Sequence, residues 1–125
     1  MIARILVVED NPDNKKLVTW ALEDAGYDFA AVDSAERALA LLEEDVFDLI
    51  LMDISLPGMN GKDATRHLRG DARFASMPII AVTAHATTEE IRAIRACGVT
   101  AIETKPIDEL QLMETIESSL RERIR

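Results

Sequence analysis

The sequence predicts an open parallel α/β sheet, and three observations carry that prediction. Four short segments are apolar at consecutive rather than alternate positions, which marks strands covered on both faces. Helical stretches fall between them, and strict alternation of strand and helix implies right-handed βαβ crossovers. The length, 125 residues with 48% apolar, suits one core and leaves no room for a second domain.

The elements follow in order. Ile5–Val8 is the first apolar run. Pro12 behind Asn11 is a first helical position behind an N-cap, and Leu17, Ala21 and Ala25 recur at helical spacing before Gly26 ends the helix. Phe29–Val32 is the second strand. Ser34 caps a second helix with Ala35, Ala38, Leu39 and Leu42 on its inner face. Leu49–Met52 is the third strand, and a weakly marked third helix lies near Lys62 to Arg69. Ile79–Val82 is the fourth strand. Thr87-Thr88-Glu89-Glu90 is a capping box, in which Thr87 and Glu90 satisfy each other's amides. That helix carries Ile91, Ile94 and Arg95 and stops at Gly98. Ala101–Thr104 is a weaker fifth strand, interrupted by Glu103. Asp108 or a neighbour opens a last helix, with Leu110, Met113, Ile116 or Glu117, Leu120 and Ile124 along one side.

Composition narrows the function. Fourteen Lys and Arg against 23 Asp and Glu leave a formal net charge of −9. Nucleic acid and anionic membrane surfaces call for clustered basic residues, so neither is expected as a partner. The single cysteine, Cys97, excludes an internal disulfide and a multi-thiolate metal site, and it is compatible with a reducing cytosol. The first apolar run is too short for a signal peptide, and no stretch approaches the roughly 20 apolar residues that span a bilayer. The expected location is the cytoplasm.

Ligands of open α/β sheets bind at the carboxyl ends of the strands. The first strand ends in Glu9-Asp10, the third in Asp53, the fourth in Thr83 and the fifth in Lys105-Pro106. Adjacent first and third strands would crowd three carboxylates at one rim, where repulsion and burial both oppose ionisation. Lys105 offsets one charge. A hard divalent cation with oxygen ligands offsets more, and Mg²⁺ suits a site that lacks His and Cys and keeps positions open for a phosphoryl group. Taken singly, each residue has a plainer role: Asp10 or Asn11 as a helix cap, Thr83 as a structural hydroxyl, Lys105 as a solvated charge. Their ordered arrangement is the informative feature.

That arrangement resembles the receiver domain of two-component response regulators. The resemblance is carried by Ile5–Asn11, by Leu49–Asp53 with Leu56–Gly61, by Pro78–Ala84 and by Lys105-Pro106, and it covers essentially the whole chain. It implies a doubly wound, flavodoxin-like (βα)5 fold with strand order 2-1-3-4-5, occupying residues 1–125 with no output domain. It implies that Asp53 accepts a phosphoryl group from a phosphohistidine on a sensor histidine kinase or histidine phosphotransfer protein. Asp10 and Asp53 would hold Mg²⁺ directly, Glu9 through water, and Ser55 through its backbone carbonyl. Thr83, Ala84 and Lys105 would bind the phosphoryl oxygens. The protein would be a phosphoacceptor that assists its own phosphorylation and dephosphorylation, not an enzyme. It would signal to a downstream protein through the face of the fourth helix, fifth strand and fifth helix, as a monomer or a dimer formed through that face.

Departures from the family are equally readable. Ile102 stands where many receivers carry an aromatic switch residue, so it either takes part in the switch or simply packs. Glu103 takes a usually apolar place, which implies an irregular strand or a side chain that reaches a partner. Ser55 and His85 occupy positions that tune phosphoryl lifetime in the family; His85 is alternatively a solvated loop residue. Trp20 is core or a docking residue, Cys97 a small buried residue and His67 solvated. The competing functions are a receiver-like adaptor that is never phosphorylated, an FMN-binding flavodoxin and a haloacid-dehalogenase-type phosphatase. The strand-end acids would repel the flavin phosphate, and the phosphatase would want its nucleophile on the first strand.

Overall fold

A computed structural model describes residues 2–124 of the chain, with side chains for 2–122. Eleven elements follow one another: β1 (Arg4–Val8), α1 (Pro12–Asp24), β2 (Asp28–Val32), α2 (Ala35–Glu44), β3 (Leu49–Asp53), α3 (Gly61–Arg69), a short 3₁₀ turn (Ala72–Phe74), β4 (Ile79–Thr83), α4 (Thr88–Ala96), β5 (Ala101–Thr104) and α5 (Glu109–Ile124). The strands form one parallel sheet in the order β2-β1-β3-β4-β5. The expected doubly wound fold is what the chain adopts.

The consecutive apolar runs have the cause inferred for them. β3 and β4 are buried at every position, and β1 at all but Arg4. Leu6, Val8, Ile50, Met52 and Ile79 point into one core with Ala38, Leu42 and Leu68. Ile5, Val7, Leu49, Leu51 and Ile80 point into the opposite core with Val18, Leu22, Leu112 and Ile116. β2 lies at the sheet edge and is only half-buried, yet it too serves both faces: Ala30 and Val32 pack against the first core and Phe29 against the second.

Helix starts agree with the sequence signals. Asn11 accepts the Asn14 N–H at 3.0 Å and Ser34 accepts the Arg37 N–H at 3.2 Å. Gly26 and Gly98 stop their helices at φ of 86° and 99°, a region costly for any residue with a Cβ. Three details differ from expectation. In α1 the inner face is Val18, Ala21 and Leu22, with Leu17 and Ala25 exposed; Leu17 and Val18 are adjacent, and only packing on the sheet chooses between their stripes. In α5 the expected Met113, Ile116 and Leu120 do pack on the core, joined by Leu112, but Leu110 is exposed; the side chain of Ile124 lies outside those described. The capping box forms by half: Thr87 accepts the Glu90 N–H at 3.2 Å, but the Glu90 carboxylate turns to Lys62.

β5 is regular, pairing residue by residue with β4 from Ile80↔Ala101 to Thr83↔Thr104. Glu103 therefore causes no irregularity. It is buried against α5 and accepts a bond from Gln111 Nε2 at 3.1 Å, so the expectation of a side chain reaching out to a partner fails as well. Ile102 packs on the other face with Ile54, Ala81 and Ile94. Cys97 is buried, and Trp20 is 63% exposed, which settles it as a surface residue. No helix among the described residues is long and apolar enough to cross a membrane.

Candidate functional site

The parallel ladder brings the carboxyl ends of β1, β3, β4 and β5 to one rim. β1 pairs Val8 with Met52 of β3, and β3 pairs Asp53 with Val82 of β4. The residues that follow are therefore neighbours without any long-range loop. Glu9, Asp10 and Asp53 each offer a carboxylate oxygen within 4.8 Å of the others. Asp53 is 3% exposed and Glu9 4%, while Asp10 faces solvent.

Lys105 reaches across from β5. Its Nζ lies 3.3 Å from both Glu9 Oε1 and Asp53 Oδ2. Burial works to lower its pKa, but the charges of Asp53 and Glu9 outweigh that and hold the ammonium above its ordinary value. One ammonium does not balance three carboxylates. Burial first, then the hydrogen bond and charge of Asp53, push Glu9 up to about 7, against lowering contributions from the Asn11 N–H and Lys105. Two nearly buried acids beside an exposed third, one of them driven toward protonation, form a donor set that fits a hard oxygen-seeking dication. The set is all oxygen, with no His or Cys among the described residues joining it, which suits a hard dication such as Mg²⁺ rather than zinc.

Backbone around Asp53 fixes its position. Asp53 Oδ1 accepts the N–H of Ser55 at 3.0 Å. Gly61, the first residue of α3, is backed directly against the strand end; a Cβ there would collide with the Asp53 carbonyl oxygen and lie 2.9 Å from Ile54 Cα. Its N–H donates to the Ile54 carbonyl at 3.2 Å. Gly58, at φ 71°, makes the preceding turn, and Glu36 from α2 accepts the Met59 N–H at 3.2 Å. Sequence reasoning missed Glu36, because nothing local to α2 announces a bond to a loop 23 residues on.

Thr83 ends β4 on the other side of Asp53. Its Oγ1 accepts the His85 N–H at 3.0 Å and lies 3.3 Å from the His85 carbonyl, so the hydroxyl is held by its own loop. Ala84, His85 and Ser55 are exposed at the rim, and His67 is exposed on α3, away from the β-strand ends. Lys105 follows Thr104, and its N–H donates to the Thr83 carbonyl at 2.8 Å. Glu9, Asp10, Asp53 and Lys105 form one cluster, Thr83 and Ala84 flank it, and Ile102 stands apart beneath α4.

A five-stranded doubly wound sheet with acids, a hydroxyl and a lysine at its strand ends is the arrangement that the resemblance to receiver domains implies. The comparisons with known proteins agree. The family model of the response regulator receiver domain matches residues 5–117, and the chain belongs to that family, the receivers of two-component systems. The chain is 40% identical over 120 residues to the polar-differentiation response regulator DivK of Brucella ovis, covering 96% of this chain and 98% of that protein. It is also 40% identical over 116 residues to the sensor protein GacS of Pseudomonas syringae pv. syringae; the match takes in 90% of this chain but spans only 13% of that much longer relative. Among solved structures, the receiver domain of the sensor histidine kinase PA1611 of Pseudomonas aeruginosa superposes with a TM-score of 0.89 at 31% identity, covering 96% of this chain and 98% of that one. That domain holds a magnesium ion coordinated in its active-site cleft.

Proposed function

We propose that Asp53 accepts a phosphoryl group from a phosphohistidine and that the resulting charge switches the protein's contacts. The observation that carries this reading is the convergence of Glu9, Asp10, Asp53 and Lys105 at one rim, with Asp53 nearly buried among them. An Asp53 carboxylate oxygen attacks phosphorus, the P–N bond breaks, and its electron pair leaves with the donor imidazole. Asp53 is thereby joined to the phosphoryl group. Such transfers ask the protein mainly for positioning and charge neutralisation. Lys105 supplies neutralisation from β5, and the Ser55 N–H orients the Asp53 carboxylate. Asp10 and Asp53 would hold Mg²⁺ directly, with Glu9 through water and the Ser55 carbonyl as a further ligand. When bound, the ion draws charge from the phosphoryl oxygens.

The Thr83 hydroxyl then exchanges His85's backbone for a phosphoryl oxygen, with the Ala84 amide beside it. That movement shifts the loop leading to α4, and Ile102 repacks beneath the helix. Ser55 and His85 flank the approach of water and set the lifetime of the modification. The donor is a sensor histidine kinase or a histidine phosphotransfer protein, and the recipient of the signal is another protein, met through α4, β5 and α5.

The test is phosphotransfer from a labelled phosphohistidine protein with Mg²⁺ present. Wild type should become labelled and Asp53→Asn should not. Labelling of the variant at the wild-type rate would remove Asp53 from its role. Absence of labelling in both, across a full panel of donors, would favour an adaptor that is never phosphorylated.

A further inference from the structure

We propose that the Lys62–Glu90 ion pair is a latch: it holds the N-terminal end of α4 against α3 and opposes the phosphorylated state. The inference rests on the Asp53 reading above and concerns regulation of that same site. Lys62 Nζ lies 3.2 Å from Glu90 Oε1, and the two side chains are only 25% and 26% exposed. Among the described residues it is the one ion pair joining α3 to α4. Glu90 makes it at the expense of the reciprocal half of its capping box. Lys62 follows Gly61, the residue backed against the Asp53 strand end, so the latch ties α4 to the rigid side of the site.

α4 itself is lightly anchored. Of its nine residues only Ile94 is buried. Its C-terminal end is pinned by Arg69, whose Nε donates to the Gly98 carbonyl at 2.7 Å while the same guanidinium bonds the Phe74 carbonyl at 2.7 Å. One polar tie therefore holds each end, with a single buried side chain between them. Only residues 84–87 separate Thr83 from α4. When the Thr83 hydroxyl moves to a phosphoryl oxygen, that short segment pulls on the first turn of α4, where Glu90 is held. The ion pair must loosen for the movement to complete, so its strength is subtracted from the affinity of the switched state.

Beryllofluoride with Mg²⁺, a phosphoryl mimic, reads this out by calorimetric titration. Lys62→Gln and Glu90→Gln should each bind it about two- to fivefold more tightly than wild type, the range expected of a partly shielded pair. The swapped pair Lys62→Glu with Glu90→Lys should return toward the wild-type affinity. Raising KCl to about 1 M should bring wild type toward the single variants. Single variants that bind no tighter than wild type overturn the latch. So does a lowered urea midpoint with unmoved affinity, which would make the pair merely structural. Failure of wild type itself to bind beryllofluoride overturns the Asp53 reading and the latch with it, whereas wild-type binding with unmoved variants overturns the latch alone.

Discussion

Glu9 makes the acid cluster measurable without any partner protein. Its carboxyl is pushed up to about 7, from an ordinary 4.5. Between those values the folded chain holds a proton that the unfolded chain has released. Stability therefore falls as pH rises from about 4.5 through about 7, then levels. At about 1.4 kcal/mol per pH interval of separation, the ceiling on this loss is about 3 kcal/mol. Glu9→Gln keeps an oxygen for the Asn11 N–H and removes the ionisation. The variant should match wild type near pH 4.5 and exceed it by about 1–3 kcal/mol at pH 8 in metal-free buffer. Urea unfolding at several pH values, with EDTA present, measures this directly. Addition of Mg²⁺ at pH 8 should stabilise wild type by mass action and do so progressively less as pH falls, because a protonated Glu9 no longer contributes its charge to holding the ion. Parallel pH profiles for wild type and Glu9→Gln would refute the reasoning, and so would Mg²⁺ stabilisation that is independent of pH.

Three further outcomes are expected. Lys105→Ala removes the cation that faces two nearly buried acids, so phosphotransfer to Asp53 should fall by at least tenfold in a timed labelling assay, while circular dichroism stays unchanged. Gly61→Ala drives a methyl group into the Asp53 backbone and should cost about 2–4 kcal/mol by urea titration, with Mg²⁺ binding weakened in parallel. Glu103→Leu replaces a buried carboxylate held by one neutral donor, and should raise stability by about 1 kcal/mol without altering phosphotransfer.

What the sequence disclosed follows from how far each signal reaches. β1, β3 and β4 are legible because a strand buried on both faces is apolar at every position, and runs this short, bounded by turn residues and alternating with longer helical stretches, favour strand over buried helix. β2 is legible in the same way and does face both cores, but its lower burial is not, since edge and interior strands of such a sheet differ only in how fully they are covered. Helix starts at Asn11 and Ser34 were legible because a cap is a bond across three residues. The inner faces of α1 and α5 are legible in part, through Ala21 and through Met113, Ile116 and Leu120, and fail where apolar residues crowd: Leu17 adjoins Val18, and Leu110 is two residues from Leu112. The acid cluster was legible because strand ends carry it. Side chains that bond across the chain were not: Glu36 to the loop at Met59, Glu90 to Lys62 and Arg69 to Gly98 are each separated from their partners by more than 20 residues. Glu103 misled for the same reason, since its partner Gln111 belongs to the next helix.

The sheet also acts as a ruler. Neighbouring strands lie roughly 4.8 Å apart. Asp53 ends β3 and Asp10 follows the adjacent β1, so two short carboxylates meet with no reach required. Thr83 stands one interval from Asp53 on β4, close enough that a hydroxyl needs only to turn. Lys105 follows β5, two intervals from Asp53 and three from Glu9, and its Nζ nonetheless arrives 3.3 Å from both. From the far strand a long, thin cation is needed to reach the carboxylates, which a short polar side chain on β5 could not do.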